Sequence, residues 1–343
     1  MIKKGETIEI SSGRGLKKIE KYPEAHFVLT DDIRFEKRMS FWEFIRPGFT
    51  KDYTNSVGFG FIEELEGTLD GNGHTIYDFE LSPYSHSRAA IIKKNKGTIK
   101  NLNVEGVDIS KASFAGGLVV VNEGEIKNCN VQGKVRQRHS NENVWTAGGI
   151  CAENNGGKII NCTFEGRVGS SEECGGITGE NNGDILECEF IGSVKSGRYT
   201  GGIAGMNFGQ IEESHSYGQV FGTEGASVGG IAGTHRGDSI CLCSSDSEII
   251  SSTDPAGGLV GENEAELISS YFYGDISSRR DKKDLGILTG FNEGVIKNCY
   301  WSPCKELSDI EPYVNTREGT VSNVGEKEIP EEDLEDFMIA NRL

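Results

Sequence analysis

The chain has 343 residues, and 35 Lys and Arg against 53 Asp and Glu give a net charge of -18. That charge opposes attachment to nucleic acid or anionic lipid through a general field. No stretch approaches the roughly 20 apolar residues of a membrane-spanning helix, so neither a nucleic-acid partner nor membrane insertion is expected.

At the N-terminus "MIKKGETIEI" lacks the apolar core of a secretory signal. If Met1 is the native start, this predicts a cytoplasmic protein. A short N-terminal helix is expected. Residues 36 to 61 form an aromatic-rich insertion suited to covering an end or making a contact surface. Asp70-Gly71-Asn72-Gly73-His74 has the outline of a calcium loop but lacks a third oxygen ligand and a distal Glu, so it reads as a turn.

From Ala89 one line recurs eight times, beginning also at Gly116, Gly148, Gly175, Gly201, Gly229, Gly257 and Gly286, with starts 26 to 32 residues apart. A period of this size held over some two hundred residues is the mark of a solenoid. Six residues after each start stands Asn95, Asn122, Asn154, Asn181, Asn207, His235, Asn263 or Asn292; two further on, every copy but one has Gly. Asn-x-Gly reads as a corner at which Gly supplies positive φ, and stacked copies can form an asparagine ladder.

Further along each copy come an Ile column and then a column of Leu102, Cys129, Cys162, Cys188, Ser214, Cys243, Ser270 and Cys299. Residues of this size and polarity at one position predict inward-facing side chains. Val104, Val131, Phe164, Phe190, Phe272 and Trp301 follow at strand alternation. No copy supplies a 3.6-residue period long enough for a helix. Two or three short strands per copy predict an all-β, right-handed parallel β-helix or β-solenoid, with a cap and leading coils over 1–88 and repeats over 89–304. The segment 305–343 follows, and "PEEDLEDFMIANRL" from Pro330 reads as a C-terminal capping helix.

The repeat resembles the GLUG family, named for Gly-Leu-hydrophobic-Gly, on Gly258-Leu259-Val260-Gly261, Gly202-Ile203-Ala204-Gly205, Gly230-Ile231-Ala232-Gly233 and Gly176-Ile177-Thr178-Gly179. "FVLTDDIRF" at 27 to 35 and "GTLDGNGHTIYDFEL" at 67 to 81 look like the leading strands of such arrays. The resemblance implies an extracellular or cell-surface protein, an adhesin, or an accessory region of a large IgA-cleaving metallopeptidase. In the last case the repeats are not the protease, and this sequence contains no H-E-x-x-H.

No cofactor or metal is expected. The 9 cysteines are an odd number that follows the repeat, and the parallel Cβ vectors of stacked coils fit disulfide torsions poorly, so reduced core packing is expected. Cys241 and Cys243 are a close pair, expected to share a face, with no His to complete a metal set. Asp184, Glu187, Glu212, Glu213, Asp238 and Asp246 form no column and read as solvated faces, leaving no catalytic residue to nominate.

The variable connections carry the recognition signal. "RQRHSNENVWTA" at 136 to 147 offers Arg136, Arg138, His139 and Trp145, and the basic "SSRRDKKDLG" at 277 to 286 adds Arg279 and Arg280. Trp suits stacking on a sugar or peptide and Arg suits an acidic group. The expected function is a non-enzymatic β-solenoid presenting loops to a glycan or protein partner. The alternatives are a carbohydrate-active or tailspike-like β-helix enzyme and an intracellular scaffold.

Overall fold

The computed structural model describes residues 7–35, 62–82, 88–136, 145–223, 225–252, 255–278, 285–303, 310, 319–329 and 340. The chain winds as a parallel β-solenoid whose strands, among the described residues, stack into four sheets of 9, 12, 13 and 8 strands, called sheets 1 to 4 in the order one coil visits them. One coil runs Thr178–Asn181, Asp184–Leu186, Glu189–Ser196 and Tyr199–Gly201. Four strands per coil exceed the two or three expected. The two residues ahead of the double glycine and its first glycine, too few to show a period, form a ladder of their own, as Glu173–Gly175 does.

The inward columns follow from strand alternation. In sheet 2 Ile99, Ile126, Ile159, Ile185 and Ile211 are successive Cα partners and fully buried. Each contributes on the order of 2 kcal/mol by leaving water. Cys129, Cys162, Cys188, Cys243 and Cys299 are buried and unpaired, as expected. Ser214 takes the same place because its Oγ donates to Glu212 O at 2.9 Å, as Cys162 Sγ does to Ile160 O at 3.3 Å. The eight-member polar column is fully buried, and the asparagines link coil to coil, for example Asn154 Nδ2 to Asn181 Oδ1 at 2.7 Å.

At most corners the glycine has a different cause from the one expected; Gly156, at φ 74°, has the expected one. Gly97, Gly124, Gly183 and Gly209 do not have positive φ; a Cβ on Gly209 would lie 2.0 Å from Gly183 O, because consecutive coils stack backbone on backbone there. The left-handed turn comes just before the cysteine column, at Asn101, Asn128, Asn161, Glu187, Glu213 and Leu242, with φ of 48 to 55°. Asn suits this conformation best. The Asp70 loop is a turn, with Asn72 N donating to Asp70 Oδ1 at 2.9 Å.

The expected N-terminal helix is two short turns, Gly13–Leu16 and Lys18–Lys21, which bury Leu16 and Ile19 against the first coils. At the other end Thr320–Ser322 and Gly325–Glu326 add a last rung to sheets 2 and 3. The insertion at 36 to 61 lies outside the described residues, as does the segment read as a capping helix apart from Ala340, which is helical. No helix among the described residues is long and apolar enough to cross a membrane.

Candidate functional site: an exposed corner and the seam beside it

Arg136 and Trp145 both lie at the corner between sheets 3 and 4. Arg136 closes the strand Asn130–Arg136, and its Nε has no hydrogen-bond partner among the described residues. Trp145 stands just ahead of Thr146–Gly148, anchored by its backbone N–H to Ser113 O at 2.8 Å. It is 42% exposed, although its ring meets Phe114 edge-on at 5.9 Å. Arg138, His139, Arg279 and Arg280 lie outside the described residues.

Phe114 leads from this corner into a seam that runs along the solenoid axis. Sheet 1 strands place their first and last residues inward and the middle two outward: Val119 joins the main core and Asn122 the buried ladder, whereas Val120 and Val121 join a separate outer cluster with Ala90, Ala152 and Phe114. The double-glycine turn folds sheet 4 back onto this outer face. A Cβ on Gly179 would lie 2.4 Å from Thr146 Cγ2, and one on Gly205 2.6 Å from Cys174 N. The second glycine of the Gly-Ile-x-Gly motif is therefore needed for the backbones of sheets 1 and 4 to meet.

One wall of the seam is the third residue of each sheet 1 strand, with Val121, Glu153, Glu180 and Met206 as successive Cα partners. The other is the first residue of each sheet 4 strand, with Phe114, Thr146, Glu173 and Tyr199 in register. Ser227 Oγ donates across the seam to Glu262 Oε1 at 2.6 Å.

The half-buried carboxylates of the seam are electrostatically distinct from those outside it. Burial raises the pKa of Glu153 above the ordinary carboxylate range, Arg88 opposes the shift and Glu180 adds to it. Burial likewise raises Glu173, against the hydroxyl of Thr146, which donates to Glu173 Oε2 at 2.5 Å; Glu172 and Glu180 add to the rise. On the outer surface, by contrast, Asp184 pairs with Lys158 at 2.9 Å and Glu212 accepts from Gln210 at 2.7 Å.

Glu153, Glu173, Glu180 and Glu262 were missed by sequence reasoning because their columns mix acidic, basic, apolar and hydroxyl residues from copy to copy. The available signal was the glycine at an outward strand position, which has no purpose unless another backbone packs against it.

Cys241 and Cys243 do not share a face. Leu242, at φ 55°, breaks the alternation between them, so Cys243 enters the main core and Cys241 an outer cluster with Leu242, Tyr271 and Tyr300. No group of three or more His, Cys, Asp or Glu suited to a metal ion occurs among the described residues.

No protein-family model matches the chain. No curated protein matches it either. Among solved structures it is similar to a "putative immunoglobulin A1 protease" from Bacteroides ovatus, with a TM-score of 0.53 and 18% identity over 98% of this chain and 87% of that one. It is also similar to an "IgA1 Protease", with a TM-score of 0.48 and 16% identity over 86% of this chain and 21% of that one, so it spans about a fifth of that protein's length. At these identities the likeness to the Bacteroides ovatus structure is one of fold.

Proposed function

We propose that this chain is a recognition solenoid built of GLUG-type coils, which presents the corner at Arg136 and Trp145 and the adjoining seam to a glycan or protein partner. The observation that carries the reading is Trp145: a large aromatic side chain stands exposed at the mouth of an aromatic and carboxylate-lined seam, where burial against its own fold would be favourable. Trp and Arg are the residue types that dominate binding energies at interfaces. The likeness to a protein named as an immunoglobulin A1 protease supports a protein partner as well as a glycan. Arrays of surface polysaccharides and peptides probed with the intact chain test this, and binding to no member of either class would contradict it.

A second reading, a carbohydrate-active enzyme, is favoured by the carboxyl groups of Glu153 and Glu173, which burial makes hold their protons more tightly than free carboxyls, the direction of shift a general acid uses. Release of reducing ends from a bound polysaccharide would favour it over binding alone.

A further inference from the structure

We propose that the outer face of sheet 3, beside the corner at Arg136 and Trp145, binds an acidic glycan through Lys134, Arg136, Arg167 and Lys195. The inference rests on the reading of this chain as a recognition solenoid and names its ligand class. Val135, Val168 and Val194 are successive Cα partners turned into the core. Strand alternation therefore puts the residues on either side of them on the outer face. Lys134 and Arg167 are Cα partners on adjacent coils, and Arg136, Gly169 and Lys195 follow each other across three. Lys134, Arg167 and Lys195 are exposed, and Arg136 is half-buried.

Among the described residues these four cations make no ion pair, in a chain whose acids outnumber its bases by 53 to 35. Elsewhere neighbouring coils pair their charges, as Lys100 does with Asp70 at 3.1 Å and Lys158 with Asp184 at 2.9 Å. Here Asp108 lies one coil before Lys134, and Glu165 lies two residues before Arg167, yet neither forms such a pair. Lys195 lies over the Phe221 ring at 4.7 Å, a contact that leaves its charge in place.

Gly169 is an independent observation. It needs neither a positive φ nor a close backbone approach, since a Cβ there would make ordinary contacts, 3.6 Å from Lys195 O and 3.8 Å from Arg136 Cβ. The missing side chain leaves a gap between two cations that stand two coils, about 10 Å, apart. An anionic group seated in it meets Arg136 on one side and Lys195 on the other, and hydrogen bonds between charged groups are the strong ones.

Spacing and charge select the ligand. Side chains on one side of an extended peptide recur at about 6.6 Å, out of step with coils about 4.8 Å apart. A nucleic acid carries its charge past the patch and is repelled by the rest of a surface whose net charge is -18. A short acidic glycan confines its carboxylates or sulfates to the patch, and Trp145, exposed at the adjoining corner, offers a face for a sugar ring.

The test is calorimetric titration of the intact chain with oligosaccharides of heparin, polygalacturonate and, as the neutral control, xylan, beside a thymidine oligonucleotide and an oligoglutamate peptide. The acidic oligosaccharides are expected to bind, more weakly in high salt. Arg167→Gln with Lys195→Gln, and separately Gly169→Glu, should each lower that affinity at least tenfold with circular dichroism unchanged. Binding of xylan, the oligonucleotide or oligoglutamate as tight as that of the acidic oligosaccharides, or wild-type affinity in the double variant, would overturn the inference. If no acidic glycan binds but a neutral glycan or a peptide does, and Trp145→Ala abolishes that binding, the acidic ligand is wrong and the recognition reading stands. If nothing binds, both fail.

Discussion

Asn207 Nδ2 and His235 Nδ1 lie 3.0 Å apart at the one position where histidine replaces asparagine in the buried ladder. His235 Nε2 lies 3.0 Å from Glu266 O, so the neutral ring accepts at Nδ1 from Asn207 and donates from Nε2. It then has no proton for the next coil, and Asn263 Oδ1 is left buried without a partner among the described residues. His235→Asn supplies the missing donor, and a gain of about 1 kcal/mol is expected from one more satisfied buried acceptor. Chemical denaturation reads this directly; a less stable variant would mean that the volume of the imidazole outweighs the hydrogen bond.

The same histidine predicts an acid-side loss of stability. Burial lowers its pKa from 6.5 to about 4. The unfolded chain therefore takes up the proton first, so the full contribution of the neutral ring is present above pH 6.5 and is lost as pH falls toward 4. The slope approaches roughly 1.4 kcal/mol per pH unit. Glu153 and Glu173, whose pKa values are raised, act with the opposite sign, destabilising the fold as they ionise with rising pH. The difference between wild type and His235→Asn isolates the histidine, and equal pH slopes for the two proteins would refute the assignment.

Two glycines that look alike in the repeat should respond differently to substitution. Gly209→Ala would place a Cβ 2.0 Å from Gly183 O, whereas Gly156, at φ 74°, has nothing within 4 Å of the added atom. The first change should cost more than about 3 kcal/mol by forcing coils apart. The second should cost about 1 kcal/mol of backbone strain. Similar denaturation midpoints for the two variants would contradict the stacked-backbone account.

These glycines also show how much was legible in the sequence. The solenoid, the Ile and Cys columns and the asparagine ladder could be read because inward positions repeat their residue type coil after coil. The reason for Gly209 could not, since a close backbone approach and a positive φ leave the same letter. The seam was less legible still: Glu153 and Glu180 stand in a column with Lys94, Val121, Met206 and Phe291, and Glu173 meets them only after the double-glycine turn has folded. Trp145 was legible as a departure from the period, and the structure leaves it exposed.

The buried cysteines, those of the column and those outside it, should be chemically silent in the folded protein. Burial pushes the thiols of Cys151, Cys174 and Cys299 up to about 12, and Cys162 well above its ordinary value. Thiolate is the reactive form, so modification should track unfolding. Ellman's reagent should find all eight described thiols only after denaturation. Rapid labelling of Cys129 or Cys162 in the native state, located by mass spectrometry, would show that the column is not sealed.

The central claim is that recognition occurs at the exposed corner and its seam, and the most direct measurement is the affinity of the double variant Trp145→Ala with Arg136→Ala for the best array ligand. Loss of a desolvated Trp or Arg contact commonly costs 2 kcal/mol or more of binding, whereas surface changes cost little stability. The account predicts a fall in affinity of at least tenfold, with circular dichroism and the melting transition unchanged. Binding equal to wild type would contradict it.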